Sequence, residues 1–338
     1  MRAVFFAVLG ANYEIVGFYL GERKVTVADN YRIAVMLSAY NGEKYITEQI
    51  QSILDQKNAD HITLYIRDDG SRDQTVSIVK GMQGKNPNIR LIKGKNAGLV
   101  RSFFSLLKTC VSEEYDYYSF SDQDDFWKPE KLSVAVETLQ KEDNTQPLMY
   151  SSCSELVDEN LHDQNGVTQC NLRGITFFNS AIQNFSPGHN QVLNHALARL
   201  VVDKTTNLKN IYSQDLWITN VAAVTGRIIF DNTPHTLYRQ HSDNQLSYGK
   251  GKAEWVKDHL SRLKKNEGRK IAVQLRQFVS DYKDYLKPDE RKEMKRFFNS
   301  QKSFGKRLGY ITKSKLYRQK GYETAVFKIL YLVGEYNV

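Results

Sequence analysis

The chain has 338 residues, 41% of them hydrophobic and 25% charged, with a net charge of +9. That balance suits one large domain, or one domain with a helical appendage, and excludes wholesale disorder. Three widely spaced cysteines, Cys110, Cys153 and Cys170, suggest neither a disulfide framework nor a zinc site and fit a reducing compartment.

The chain opens on a short apolar run, Val4 to Leu9, followed by Asn12 and Glu14. The run is too short to span a bilayer and lacks a clear small-residue cleavage site, so residues 1–30 read as an extension outside the main fold. From Ile33 the pattern turns regular. Ile33 to Leu37 is a continuous apolar run, as a buried parallel strand requires. Ser38-Ala39-Tyr40-Asn41-Gly42 breaks it, and Ile46, Ile50, Ile53 and Leu54 recur at helical spacing. Ile62 to Ile66 predicts a second strand ending in Asp68-Asp69-Gly70-Ser71, with a helix through Val76, Val79 and Met82. Ile89 to Ile92 predicts a third strand, and Leu99 to Cys110 a helix with Phe103, Leu106 and Leu107 inward. A fourth strand, Tyr117 to Phe120, runs straight into Ser121-Asp122-Gln123-Asp124-Asp125-Phe126-Trp127.

Strands alternating with helices imply a doubly wound, mainly parallel α/β sheet, in which ligands bind beyond the carboxyl ends of the strands. The three polar clusters fall at those ends. Three carboxylates within four positions repel one another, and a hard divalent cation relieves that repulsion. Asp-X-Asp between a strand and a helix therefore suits a metal held with a diphosphate, although an acidic turn capping the next helix explains the same residues. In the metal reading Asp122 and Asp124 form the motif, and Asp125 only caps the turn into the next helix. No GxGxxG or GxxxxGK[ST] turn is present, which argues against a dinucleotide oxidoreductase or a P-loop ATPase.

Beyond a helix starting near Pro129, Leu148 to Tyr150 predicts a strand, and residues 151–190 read as loops ending in the turn Ser186 to Asn190. Val192 to Val202 predicts a helix, as does Gln214 to Ala223, with Gly226 at its end. Arg227 to Phe230 and Leu237 to His241 predict two short strands. His189 and His195 have no partner pattern and read as structural or surface groups. Trp127 and Trp217 suit the core as well as a sugar-stacking platform. From about Trp255 the chain reads as helical and basic. Residues 250–338 carry 23 Lys and Arg against 10 Asp and Glu, whereas the rest carries 24 against 28. A basic helical tail with an apolar stretch such as Ala325 to Val333 suits an anionic membrane surface; a helical cap with its lysines in water is the plainer reading. No apolar stretch is long enough to predict a transmembrane helix.

Taken in order over residues 33 to about 248, these motifs resemble glycosyltransferase family 2. They are Ser38 to Ile46, Asp68 to Ser71, Ser121 to Trp127, Pro187-Gly188, Gln214 to Trp217 and Tyr238 to His241. Within that family the chain looks most like the rhamnosyltransferase-like members that build bacterial surface polysaccharides such as capsule or O-antigen. The resemblance implies a GT-A fold over residues 31–250, with residues 251–338 as a basic helical C-terminal region. It implies that Tyr40 and Asp69 hold the nucleotide base, that Asp122 and Asp124 form the Asp-X-Asp motif with Asp124 on Mg²⁺ or Mn²⁺, and that Asp215 is the catalytic base. His241 falls where some members place a further metal or diphosphate contact. Arg239 either meets the diphosphate or pairs with a core carboxylate. Ala39 stands where the family commonly has Thr, which removes one hydroxyl near the base. By its position alone Asp215 reads rather as an ordinary N-cap or first-turn acid favoured by the helix dipole; the resemblance is what favours catalysis.

The function implied is inverting, metal-dependent transfer of a sugar, possibly rhamnose. The donor would be a UDP- or dTDP-sugar and the acceptor a glycan or lipid-linked oligosaccharide. The place implied is the cytoplasm, at the inner face of the bacterial plasma membrane, with no nucleic-acid partner. A sugar-phosphate nucleotidyltransferase is the first rival, but it commonly uses a glycine-rich basic loop that Ser38 to Gly42 lacks. A non-catalytic carbohydrate- or nucleic-acid-binding protein is the second, and the strand-edge carboxylates would repel nucleic acid.

Overall fold

The protein's computed structural model describes residues 30–168, 173–241 and 266–338. The expected N-terminal extension, Cys170 and the helix predicted to begin near Trp255 lie outside the described residues.

A nine-stranded sheet carries the fold, and its first half follows from the apolar runs. β1 (Ile33–Ala39) is buried at every position. It lies between β2 (Ile62–Asp68) and β4 (Tyr117–Ser121), both parallel to it, and β3 (Ile89–Lys93) extends the sheet beyond β2. The crossovers are α1 (Ile46–Leu54), α2 (Thr75–Gln83) and α3 (Leu99–Ser112). Both faces of β1 need apolar cover. Ile33, Val35 and Leu37 pack with Ile46 and Ile50 of α1, while Ala34 and Met36 pack with Phe103 and Leu107 of α3.

The second half departs from the sequence pattern. Its strands are β5 (Phe126–Trp127), β6 (Leu148–Val157), β7 (Asp163–Val167), β8 (Val192–Asn194) and β9 (Arg227–Arg239). The order across the sheet is β3-β2-β1-β4-β8-β6-β9-β5, with β7 on β6. β8 runs antiparallel to β4 and β6, and β5 antiparallel to β9. β6 and β9 are parallel, so the sheet is mixed and mainly parallel.

Three differences have clear physical causes. β6 continues into the expected loop because Ser151, Ser152 and Ser154, although polar, are buried between neighbouring strands. Val192 and Leu193 form a strand rather than the start of a helix. Asn194 then caps α6 (His195–Lys204), its side chain accepting from Leu197 N at 3.1 Å and from Leu148 N at 2.9 Å. The two strands expected after Gly226 are one strand, β9, whose pairing slips opposite Ser152 to Ser154. His195 is structural, with Nδ1 lying 2.8 Å from the Tyr118 hydroxyl and 3.0 Å from the Tyr115 carbonyl. Cys110 and Cys153 are both buried.

α4 (Lys131–Leu139) follows the acidic turn, α5 (Phe177–Ser180) is a single turn, and α7 (Gln214–Thr225) precedes β9. The C-terminal region folds as α8 (Glu267–Asp281), α9 (Pro288–Ser300), α10 (Phe304–Ile311) and α11 (Gly321–Val333). It packs into the same hydrophobic cluster as α3, α6 and α7. Trp217 of α7 meets Phe278 edge-on at 5.6 Å and Tyr282 at 6.0 Å, and Phe177 stacks on Phe278 at 5.6 Å. Trp217 and Trp127 are both buried and belong to the core. Among the described residues no helix is long and apolar enough to cross a membrane.

Trp217→Ala is expected to lower unfolding free energy by about 3–5 kcal/mol, as for a large aromatic removed from a packed core. Urea denaturation measures it, and a loss below about 1 kcal/mol would contradict this packing.

Candidate active site

The carboxyl ends of β1, β2 and β4 are tied together by side chains in the loops that follow them. Asp68 accepts from the backbone N–H groups of Gly70 and Ser71, both at 3.2 Å, which shapes the turn after β2. Gly70 has φ +87°, a left-handed conformation that favours glycine, and an added Cβ would stand 3.0 Å from Asn96 N. Asp69 is 3% exposed. Its carboxylate accepts from Ala97 N at 2.9 Å, from Gly98 N at 2.8 Å and from Arg67 Nη1. Asp69 thereby fixes the loop entering α3. Gln123, the middle residue of Asp-X-Asp, clamps the loop after β1. Its Oε1 accepts from Tyr40 N at 2.9 Å and its Nε2 donates to Tyr40 O at 3.2 Å. The Tyr40 ring remains 43% exposed.

The acidic turn is built on a buried charge cluster. Asp125 is 1% exposed, and neither carboxylate oxygen accepts a hydrogen bond. His189 Nδ1 lies 3.3 Å from Asp122 Oδ2 and 3.4 Å from Asp125 Oδ2, and its Nε2 lies 3.0 Å from Ser154 Oγ. Lys131, 2% exposed, donates to His189 O at 2.6 Å and to Thr236 Oγ1 at 2.8 Å. Burial pushes the Asp125 carboxyl up to about 7; His189 opposes the rise, and the Asp124 and Asp122 charges add to it. Burial disfavours the imidazolium of His189, but Asp125 and Asp122 outweigh it and raise its pKa. Burial likewise brings Lys131 down to about 7 against the pull of Asp125 and Asp122. Asp125 and His189 therefore hold a proton more tightly than they would in water, whereas Lys131 gives one up more readily.

Asp122, Asp125 and His189 offer ligand atoms within 4.8 Å of one another, a group suited to a divalent cation. The expected set was Asp122, Asp124 and His241. The structure divides it: Asp122 sits with His189 and Asp125, while Asp124 Oδ2 lies 2.9 Å from His241 Nε2. Asp125 is sealed inside the cluster and does more than cap a turn. Sequence reasoning missed His189, which sits in the Pro187-Gly188-His189 turn; the only local signal was an imidazole in a motif-bearing turn.

Asp215 stands in the first turn of α7, where the helix N-terminus favours an anion. Its Oδ2 accepts from Asn184 Nδ2 at 2.7 Å and from Gly188 N at 3.3 Å, and its Oδ1 accepts from Leu216 N at 2.8 Å. The C-terminal region reaches this point. Gln274 Oε1 of α8 accepts from Tyr212 N at 2.8 Å and Ser213 N at 2.9 Å, which fixes the entry to α7. Arg239 is buried in protein contacts, donating to Asp124 O at 3.0 Å, to Glu159 O and to the Glu48 carboxylate at 2.5 Å. The carboxylate that Arg239 meets, that of Glu48, is exposed and does not belong to the core.

One cleft of about 1010 Å³ joins these groups. Tyr40, Asp69, Asp122, Asp124, His189 and Asp215 line it, together with Arg318, Leu330 and Tyr336 of the C-terminal region. Such a cleft has room for a ligand with several polar anchors.

Residues 34–202, half of the chain, match the family model for glycosyl transferase family 2. The dTDP-rhamnosyl transferase RfbG of Shigella flexneri is 30% identical over 224 residues, 62% of this chain and 73% of that protein. The S. aureus TarS 1–349 complex with UDP superposes with a TM-score of 0.54 at 20% identity, covering 89% of this chain and 80% of that one. The mannosyltransferase PcManGT of Pyrobaculum calidifontis, in complex with GDP-Man and Mn²⁺, gives 0.52 at 15% identity over 91% and 86%. These two likenesses concern the fold, which is GT-A-like.

Gln274→Leu removes the acceptor shared by Tyr212 N and Ser213 N. Amide exchange at these positions is expected to quicken about tenfold, equivalent to ~1.4 kcal/mol of local stability. Gln274→Glu keeps an acceptor and should keep the protection; equal exchange in wild type and Gln274→Leu would contradict the assignment.

Proposed function

The chain belongs to glycosyltransferase family 2, and from that premise we propose an inverting, metal-dependent transferase that moves a sugar from a nucleotide diphosphate to a cell-surface glycan or lipid-linked acceptor. The observation that carries this reading is the shared cleft, which is lined at once by Tyr40, Asp69, the Asp122–Asp124 turn and Asp215.

In this reading the donor base lies against the exposed Tyr40 ring, beside the wall that Asp69 builds from the loop at Ala97 and Gly98. Asp122 and Asp124, with His189 and His241 beside them, would hold Mg²⁺ or Mn²⁺ at the donor's diphosphate. The cation, when bound, neutralises charge on the leaving nucleoside diphosphate as a Lewis acid. Asp215 takes the proton of the acceptor hydroxyl as that oxygen attacks the anomeric carbon. Asn184 and the Gly188 N–H orient its Oδ2 for the task. Direct attack inverts the anomeric centre, without a covalent sugar–enzyme intermediate. Arg239 acts behind the site, holding Asp124 O and Glu48.

The likeness to a dTDP-rhamnosyl transferase supports dTDP-rhamnose as donor and a bacterial polysaccharide as product. The basic C-terminal region supports peripheral contact with the inner face of the plasma membrane.

A panel of UDP-, dTDP- and GDP-sugars, assayed with Mg²⁺ or Mn²⁺, should give nucleoside diphosphate most readily from dTDP-rhamnose. Pyrophosphate as the product would overturn the reading in favour of a nucleotidyltransferase. Asp124→Ala and Asp215→Asn should each lower transfer by at least about a hundredfold, within the range of a lost acid–base or electrostatic group. Only Asp124→Ala should also weaken metal-dependent donor binding. Wild-type turnover in both variants would refute these roles.

A further inference from the structure

Helices α10 and α11 expose apolar side chains on faces that nothing in the described structure covers. On α11, Phe327 and Tyr331 are buried in the core. On the other side, Tyr322, Ala325, Ile329 and Val333 recur at steps of three and four residues, which aligns them in one stripe. Tyr322 is 52% exposed, Ile329 60% and Val333 66%. The adjoining helix α10 does the same, with Phe304 and Leu308 four residues apart at 58% and 45%. Arg307 Nε of α10 donates to Leu332 O of α11 at 2.8 Å, so the two helices are in contact. Among the described residues these two helices hold five of the ten exposed large hydrophobics, a density that scattered surface residues do not reach.

The charge around the stripe identifies its partner. Residues 302–333 contain eight Lys and Arg and one carboxylate, Glu323. Glu323 is buried, 3.4 Å from Arg318. Lys302, Lys306, Lys313 and Lys320 are exposed and form no ion pair with a described residue. A second copy of the chain would bring the same cations face to face. Nucleic acid would meet the lysines but leave the apolar stripe in water. A bilayer with anionic headgroups satisfies both features, because acyl chains take apolar side chains while lipid phosphates take ammonium groups.

We propose that α10 and α11 form the surface by which this protein docks on an anionic lipid bilayer, with Ile329, Val333, Phe304 and Leu308 entering the headgroup boundary. This rests on the membrane contact proposed above and gives it a location. At 1.5 Å per residue the thirteen residues of α11 span about 20 Å, too short to cross a bilayer and suited to lying in its surface. Leu330 of the same helix lines the cleft, so docking brings the cleft to the membrane surface, within reach of a lipid-linked acceptor.

The test is flotation of the full chain with phosphatidylcholine vesicles containing phosphatidylglycerol, against pure phosphatidylcholine, at low and high salt. Wild type should float only with the anionic vesicles, and less at high salt. Ile329→Asp with Val333→Asp, and separately Lys306→Glu with Lys313→Glu, should each reduce binding at least about tenfold. Thermal melting and nucleoside diphosphate release from soluble donor should stay at wild-type values. Absence of binding by wild type would overturn the proposal, as would binding unaffected by the Ile329 and Val333 changes. So would ultracentrifugation showing a wild-type dimer that those changes dissociate, or RNA binding that displaces the vesicles. Loss of donor turnover in the wild type, with vesicle binding intact, would instead tell against the proposed reaction.

Discussion

The Asp125 carboxylate sits sealed in the core with neither oxygen hydrogen-bonded, and the surrounding chain is arranged around that charge. An uncompensated buried carboxylate is expensive, and removing a partner from such a group costs far more than an exposed ion pair contributes. His189 faces it at 3.4 Å, and the buried ammonium of Lys131 lies close enough to respond to its charge. Lys131 in turn bonds the carbonyl of His189 and the hydroxyl of Thr236. One electrostatic constraint therefore binds the turn after β4, the turn before β8 and strand β9. With those segments fixed, Asp122 and Asp124 line the cleft, and Gly188 N reaches Asp215.

A second set of contacts lets the sheet edge act as a unit. Gln123 grips the backbone of Tyr40, and Asp69 grips the loop at Ala97 and Gly98. Gly42 lies against Gln123 so closely that a Cβ would meet its Oε1. The loops proposed to meet the base, the diphosphate and the acceptor hydroxyl are thus tied to their neighbours by hydrogen bonds. Pre-organisation of this kind is what positioning contributes to transfer between two bound substrates. The C-terminal helices belong to the arrangement: Gln274 fixes the start of α7, and Trp217 packs edge-on against Phe278 of α8.

The first half of the sheet was legible because β1 to β4 are apolar runs bounded by polar turns, a signal local to each strand. The motifs at their ends pointed to the cleft for the same reason. The second half was not, since Ser151 to Ser154 are polar yet buried, and Val192-Leu193 fits a helix or a strand until neighbours decide. His189 and Gln274 were invisible for a different reason. His189 meets Asp122 across 67 positions and Gln274 meets Tyr212 across 62, so no local spacing announces either contact. The basic character of the C-terminus was plain in the sequence; its packing against Trp217 needed the fold.

In the proposed reaction the metal and the donor diphosphate meet at the Asp122–Asp124 turn, in the cleft that Asp215 also lines. Anomalous diffraction from crystals grown with Mn²⁺ and dTDP tests it most directly. One Mn²⁺ peak is expected within coordination distance of an oxygen of Asp122 or Asp124, with the thymine ring against Tyr40. A peak bound elsewhere, or nucleotide seated away from Tyr40 and the acidic turn, would contradict it.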